Sequence, residues 1–153
     1  MKRIKFCELV EREGEKIAVS EWTEIPQDLI DIFAEVTGDR NLVHLNNKSA
    51  RVAGFDRTIA HGYLLISLIP KILEQHISLP TSGTIINRDI KWTFRNPVLS
   101  NDSIRLRVVV QNARVRRGIT IVTLGINMEV LSTGKIAGEG FATYIYTTKK
   151  TKQ

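Results

Sequence analysis

Asp39 and His44 stand five residues apart in the polar stretch Thr37-Gly38-Asp39-Arg40-Asn41-Leu42-Val43-His44. A carboxylate and an imidazole in one loop make an acid/base pair. The carboxylate accepts a proton from water, and the imidazole holds or receives another near neutral pH. Asn41 carries both donor and acceptor groups and can orient either partner. A second chemical feature is Ile59-Ala60-His61-Gly62-Tyr63. Backbone N–H groups at a helix start have no internal partner and favour negative charge, and glycine lets a ligand approach the backbone closely. Gly62 can therefore hold a carbonyl oxygen that becomes an oxyanion. Each feature also has a plainer reading: aspartate after glycine is a common turn residue, and Gly62 eases packing at a tight turn. His61 reads as filling or capping that turn, and His76 as a surface residue at the polar end of the helix. Three scattered histidines and one cysteine do not make a ligand set, so no metal is expected.

These groups need elements to hold them. A strand is predicted over residues 16–20. Pro26 suits a first helical turn, and Leu29, Ile30, Phe33 and Val36 then fall at helical spacing on one apolar face. Gly38 can stop that helix in the left-handed conformation, leaving residues 39–47 as a loop; Asn47 is placed to cap a short helix over 48–52. The second main helix is predicted over 62–77. Tyr63, Leu64, Leu65, Ile66, Leu68, Ile69, Ile72 and Leu73 make it apolar nearly all round, hence buried, and Pro70 predicts a kink near residues 66–70.

From Thr84 onward the apolar period changes to two. Ile90, Trp92 and Phe94 form one face; Ile104, Leu106, Val108 and Val110 a second; Val122, Leu124, Ile126, Met128 and Val130 a third. Phe141, Thr143 and Ile145 alternate with Ala142, Tyr144 and Tyr146 in a fourth segment. The breaks at Asn101-Asp102, Arg116-Arg117-Gly118 and Ser132-Thr133-Gly134 are turn chemistry, so neighbouring strands run antiparallel. With the early strand, the expected fold is α+β: an antiparallel sheet of about five strands wrapped around a long buried helix, as one domain over residues 1–153.

Composition narrows the function classes. The apolar share is 42 % and the charged share 25 %, ordinary for a soluble globular domain and far from disordered or low-complexity chains. The single cysteine, Cys7, cannot form an internal disulfide. No signal peptide or membrane-length apolar run is present, so a cytoplasmic protein without membrane association is expected. The net charge of +6 is uneven. Residues 1–39 carry five basic and ten acidic side chains, residues 40–148 fourteen and six, and the tail adds Lys149, Lys150 and Lys152. This asymmetry suggests an anionic partner. Nucleic acid is a poor candidate, since only ten aromatics are present and no nucleic-acid motif occurs.

The stretch from Phe33 to Ala50 resembles the signature of the MaoC-like dehydratases and (R)-specific enoyl-CoA hydratases. Phe33, Val36, Thr37, Gly38, Asp39, Asn41, Val43, His44 and Ala50 stand in its places, and Leu42 stands where the family prefers proline. Ile59-Ala60-His61-Gly62 resembles the family's second block, and Ile90 to Val98 its strand after the helix. Val19-Ser20-Glu21-Trp22, Leu68-Ile69-Pro70 and Lys91-Trp92-Thr93-Phe94-Arg95-Asn96-Pro97-Val98 are similar to the nodulation protein N-like branch. The resemblance implies a hotdog fold, a homodimer or larger homo-oligomer, and reversible hydration of trans-2-enoyl-CoA to (R)-3-hydroxyacyl-CoA. It implies Asp39 and His44 as the catalytic pair, Asn41 assisting, and the Gly62 N–H polarising the thioester carbonyl. Some family members carry serine where this chain has Pro70; Ser67 is the nearest substitute. His61, Ser67, Arg88, Lys91 and Arg95 are the candidate substrate-binding residues, the cations facing the phosphates of coenzyme A. No cofactor is implied beyond the coenzyme A of the substrate. Two alternatives accompany this reading: a dehydratase acting on acyl carrier protein, and a hotdog protein that binds acyl thioesters without turnover.

Overall fold

The computed structural model describes residues 3–78 and 83–147; the three-lysine tail lies outside them. The strands are β1 (Ile4–Lys5), β2 (Lys16–Val19), β3 (Thr23–Ile25), β4 (Ile77–Ser78), β5 (Thr84–Phe94), β6 (Asp102–Arg116), β7 (Ile119–Val130) and β8 (Ile136–Thr147). The helices are α1 (Gln27–Thr37), α2 (Leu42–Leu45), α3 (Asn47–Val52), α4 (Gly62–Ser67) and α5 (Ile69–Leu73), with a 3-10 turn at Phe6–Glu11.

Period two in the sequence becomes the sheet. β6 and β7 alternate between buried and half-buried positions, with Ile104, Leu106, Val108, Val110, Val122, Leu124, Ile126 and Met128 turned into the core. The order is β2-β6-β7-β8-β5, all antiparallel, with β3 also pairing β6. The sheet thus has six strands rather than five. The added one, β3, is three residues long and ends against Pro26, too short to show a period. The turns fall where turn residues predict them: Asn101, Arg117, Gly118 and Gly134 all have positive φ.

The buried helix is shorter than its apolar run. It breaks at Leu68 into α4 and α5, and Pro70 sits in the first turn of α5, where its missing N–H leaves no bond unmade. The expected kink is therefore present as a break. Leu64, Leu65, Leu68, Ile69, Ile72 and Leu73 are buried, whereas Tyr63 is exposed, so the helix is not apolar all round in effect. The helix ends at Leu73 instead of residue 77, because the chain turns inward to pair β4 with β1 in parallel, supported by Ile4 N–H donating to His76 O at 2.8 Å. His76 is consequently buried at 9 % exposure and not on the surface. In α1, Ile30 and Ala34 are buried and Leu29 and Phe33 pack on the core, but Val36 is exposed at the helix end. Fully burying one such Leu or Ile side chain contributes about 1.5–3 kcal/mol. The described residues contain no helix long and apolar enough to cross a membrane.

Candidate active site

Gly38 ends α1 with φ of 77° and donates its N–H to Ala34 O at 2.9 Å. The chain leaves the helix at once, so Asp39 begins an exposed loop anchored to α1. Asn41 then caps α2, its Oδ1 accepting from Val43 N–H at 3.3 Å, while its own N–H donates to Asp39 Oδ1 at 3.4 Å. Asn41 thus couples the carboxylate to the short helix that carries His44. The next cap is Asn46 rather than Asn47: Asn46 Oδ1 accepts from Lys48 and Ser49 N–H at 2.9 and 3.0 Å. Asn47 Oδ1 instead accepts from Thr58 N–H at 3.0 Å, tying α3 to the segment that leads into α4.

His44 Nδ1 lies 2.8 Å from Ile59 O. A carbonyl only accepts, so Nδ1 carries the proton and the lone pair of the neutral ring is on Nε2. Burial pushes the His44 pKa below its ordinary value. The Ile59 carbonyl and the Asp39 charge act in the opposite direction, and the neighbouring His61 adds to the lowering. His44 is thereby biased toward the neutral form that accepts a proton. Its ring lies in a cleft of about 360 Å³ whose walls include Ile59, Gly62, Tyr63, Phe94, Arg95 and Asn96.

Three side chains converge around His44. Ligand-type atoms of Asp39, His44 and His61 lie within 4.8 Å of one another. The histidines that are scattered in sequence are neighbours in space, the His44 and His61 rings stacking at 3.8 Å with an interplanar angle of 28°. A shared metal ion has to lie close to both ring planes. Rings laid face to face send their in-plane lone pairs past each other, so this pair is poorly shaped to converge on one ion. A water molecule suits the spacing better, because two hydrogen bonds of about 2.8 Å span up to about 5 Å.

Gly62 opens α4 immediately after His61, and the first N–H groups of a helix have no intrahelical partner. A Cβ on Gly62 would lie 2.6 Å from Phe94 Cζ, so glycine permits the Phe94 ring to close on the helix start. Phe94 therefore faces the helix side of the sheet. By strand alternation Lys91 and Thr93 face the other side, where Lys91 joins Lys16, Arg107 and Phe141 along a groove. Arg95 lines both this groove and the cleft, and its guanidinium is engaged by Glu139 at 2.8 Å. Arg88 is the extra residue of a bulge in β5, about 20 Å along the strand from Phe94, and pairs with Asp89 at 2.7 Å. The Ser67 hydroxyl donates to Leu64 O at 2.7 Å within α4, away from the cleft walls. Of the five candidate substrate-binding residues, then, only His61 and Arg95 lie with Asp39, His44 and Gly62.

Sequence reasoning missed Gln27 and Thr58. Gln27 Nε2 donates to His44 O at 2.8 Å, and its Oε1 accepts from the buried Thr58 hydroxyl, which also lies 2.9 Å from Ser100 Oγ. This chain of contacts fixes the backbone of α2 from below. Its members lie 31 and 42 residues apart, so no local spacing announces them.

The family model described as MaoC like domain matches residues 8–130. Nodulation protein N of Rhizobium leguminosarum bv. viciae is 32 % identical over 132 residues, covering 80 % of this chain and 78 % of that protein. A 3-hydroxyacyl-thioester dehydratase Z of Mycobacterium tuberculosis is 31 % identical over 100 residues, covering 65 % of this chain and 66 % of its own length. The solved (R)-hydratase from A. caviae involved in PHA biosynthesis superposes with a TM-score of 0.71 at 26 % identity, covering 85 % of this chain and 95 % of that one.

Proposed function

The chain belongs to the MaoC-like domain family of dehydratases and hydratases and has the hotdog fold, and from that premise we propose that it reversibly hydrates trans-2-enoyl-CoA to (R)-3-hydroxyacyl-CoA. The observation that carries the reading is the pairing of the Asp39 carboxylate with a His44 ring whose Nε2 is bare, beside a cleft walled by Gly62. Water held between the two side chains adds its oxygen to C3. The pair takes the proton released by water and delivers one to C2, so the thioester gains one molecule of water and nothing else changes. Charge that builds on the thioester oxygen is met by the Gly62 N–H. Asn41 keeps Asp39 and α2 in register, and Arg95 meets the anionic end of the carrier. His61 sits behind the pair, stacked on His44 and bonded to the Asp39 carbonyl. The reaction uses no cofactor beyond the coenzyme A of the substrate.

The proposed working form is a homodimer. Among the described residues β5 is an edge strand bonded only to β8, and it exposes Ile86, Ile90 and Phe94. An apolar edge of this kind is a template for pairing with a second copy.

Hydration of crotonyl-CoA, followed as loss of the enoyl-thioester absorbance, tests the reading with wild type, Asp39→Asn and His44→Ala. Both variants lose about 10²-fold or more. Near-wild-type rates in both refute the assignment, and binding without turnover by the wild type leaves a thioester-binding protein. Parallel assays with carrier-protein thioesters decide between the two carriers, and chiral analysis of the product tests the (R) outcome.

A further inference from the structure

His61 is 2 % exposed and lies between two other rings, one stacked on it and one tilted against it. Phe33 of α1 packs on it with centroids 5.1 Å apart, and His44 of α2 covers it at 3.8 Å. Its Nε2 lies 3.0 Å from Asp39 O, so that nitrogen is the donor, because the carbonyl has no proton to give. Its own carbonyl accepts from Leu65 N–H at 3.2 Å and so begins α4. One residue therefore touches the backbone of Asp39, the ring of His44 and the start of the helix that presents Gly62. Packing alone does not account for it. The Nδ1 atom is buried without a hydrogen-bond partner, a cost that phenylalanine or leucine in the same space does not incur.

We propose that His61 is a positioning residue of the site: its N–H holds the Asp39 backbone while its ring holds the His44 imidazole, so that carboxylate and base keep their separation. This rests on the assignment of Asp39 and His44 as the reacting pair. A second consequence is electrostatic. His61 lowers the tendency of His44 to take a proton, against the opposite pull of Asp39, and Arg95 is the further charged group along the cleft.

Two variants separate the roles. His61→Phe keeps a ring against His44 and cuts the bond to Asp39. His61→Gln keeps an N–H within reach of that carbonyl and removes the ring. In His61→Phe, kcat falls by about 10-fold or more while KM moves far less, since misplacement by about 1 Å can cost 10²-fold; His61→Gln retains more activity than His61→Phe. In His61→Gln the titration of His44, read from its ring proton resonances, moves to higher pH, and the acid limb of the kcat/KM profile moves with it. A turn-filling residue would change melting temperature alone. A His44 titration that stays at its wild-type pH in His61→Gln overturns the proposal. So does a kcat within two-fold of wild type in folded His61→Phe. If His61→Phe does not fold, the His44 titration and kcat of His61→Gln decide. The titration needs no thioester, so it stands apart from any failure of the hydratase reading.

Discussion

Replacing Gly62 by alanine adds one methyl group at the junction of cleft and helix, and its effect can be worked from the contacts. The new Cβ would stand 2.6 and 2.7 Å from Phe94 Cζ and Cε1. Carbon atoms in ordinary contact lie about 3.5–4.0 Å apart, so the ring must retreat by about 1 Å. In the single chain it has room, because Phe94 is 49 % exposed at the end of an edge strand. Holding the ring off its preferred rotamer costs about 0.5–1.5 kcal/mol. Gly62 does not have positive φ, so alanine offsets about 0.4–1 kcal/mol by restricting the unfolded chain. The net change in stability stays within about 1 kcal/mol, or about 2–4 °C in Tm for a chain of this length. Activity responds more strongly. A cleft wall displaced by about 1 Å, with a methyl beside the N–H proposed to meet the thioester oxygen, lowers kcat/KM by about 10- to 100-fold. Enoyl-CoA hydration and calorimetric melting on the same preparation measure both quantities. Wild-type kcat/KM in folded Gly62→Ala refutes the placement of the reaction at this cleft. A Tm loss beyond about 10 °C refutes the reasoning about the ring.

Three further outcomes are expected. The His44 pKa lies below its ordinary 6.5 because of burial, so the unfolded chain binds a proton that the folded chain resists. Stability is therefore full above pH of about 6.5 and declines as pH falls below it; His44→Gln, followed by urea melts from pH 8 to pH 5, shows a smaller decline, and an equal decline refutes the link. Glu139→Gln frees Arg95 from its exposed ion pair and lowers KM for a CoA thioester about two- to five-fold at low salt, and an unchanged KM shows that Arg95 does not meet the carrier. Ile90→Lys on the β5 edge converts the dimer to monomer in sedimentation equilibrium, and a wild type that is already monomeric at tens of micromolar removes that interface.

The sequence disclosed most of the sheet because each long strand carries its own evidence. In β6 and β7 the buried positions follow the apolar alternation residue by residue, and the turn at Arg117-Gly118 has the positive φ its residues permit. β1, β3 and β4 were illegible, since two or three residues have no period and are strands only through partners remote in sequence. The helix expected over 62–77 exceeds the observed one for a related reason. Its apolar run continues to Ile77, but Ile77 is buried by a strand pairing and not by a helix face. The same pairing draws in His76, which polarity alone placed outside.

At the site, local spacing exposed Asp39, Asn41 and His44, which share one loop, and Gly62, which opens a helix. It did not expose what holds them. Gln27 reaches His44 O from α1, Ile59 fixes the His44 tautomer, and His61 ties to Asp39 across 22 residues. All three are long-range contacts of ordinary residue types. The charge count likewise does not say which cations are available. In the fold, Arg88 is taken by Asp89, Arg95 by Glu139, and Arg105 and Arg107 by Glu129, with Arg105 also lying over the Trp22 ring at 4.5 Å. Four of the arginines in the basic half are therefore paired within their own sheet, and the positive excess is carried by the others. What remains near the chemistry is local: Arg95, shared between the cleft and the outer groove, with Lys91 and Lys16 farther along that groove. If an anionic carrier binds at this cleft as proposed, Arg95 is the cation in its wall, so the salt dependence of binding is expected to follow Arg95 more closely than the net charge of +6.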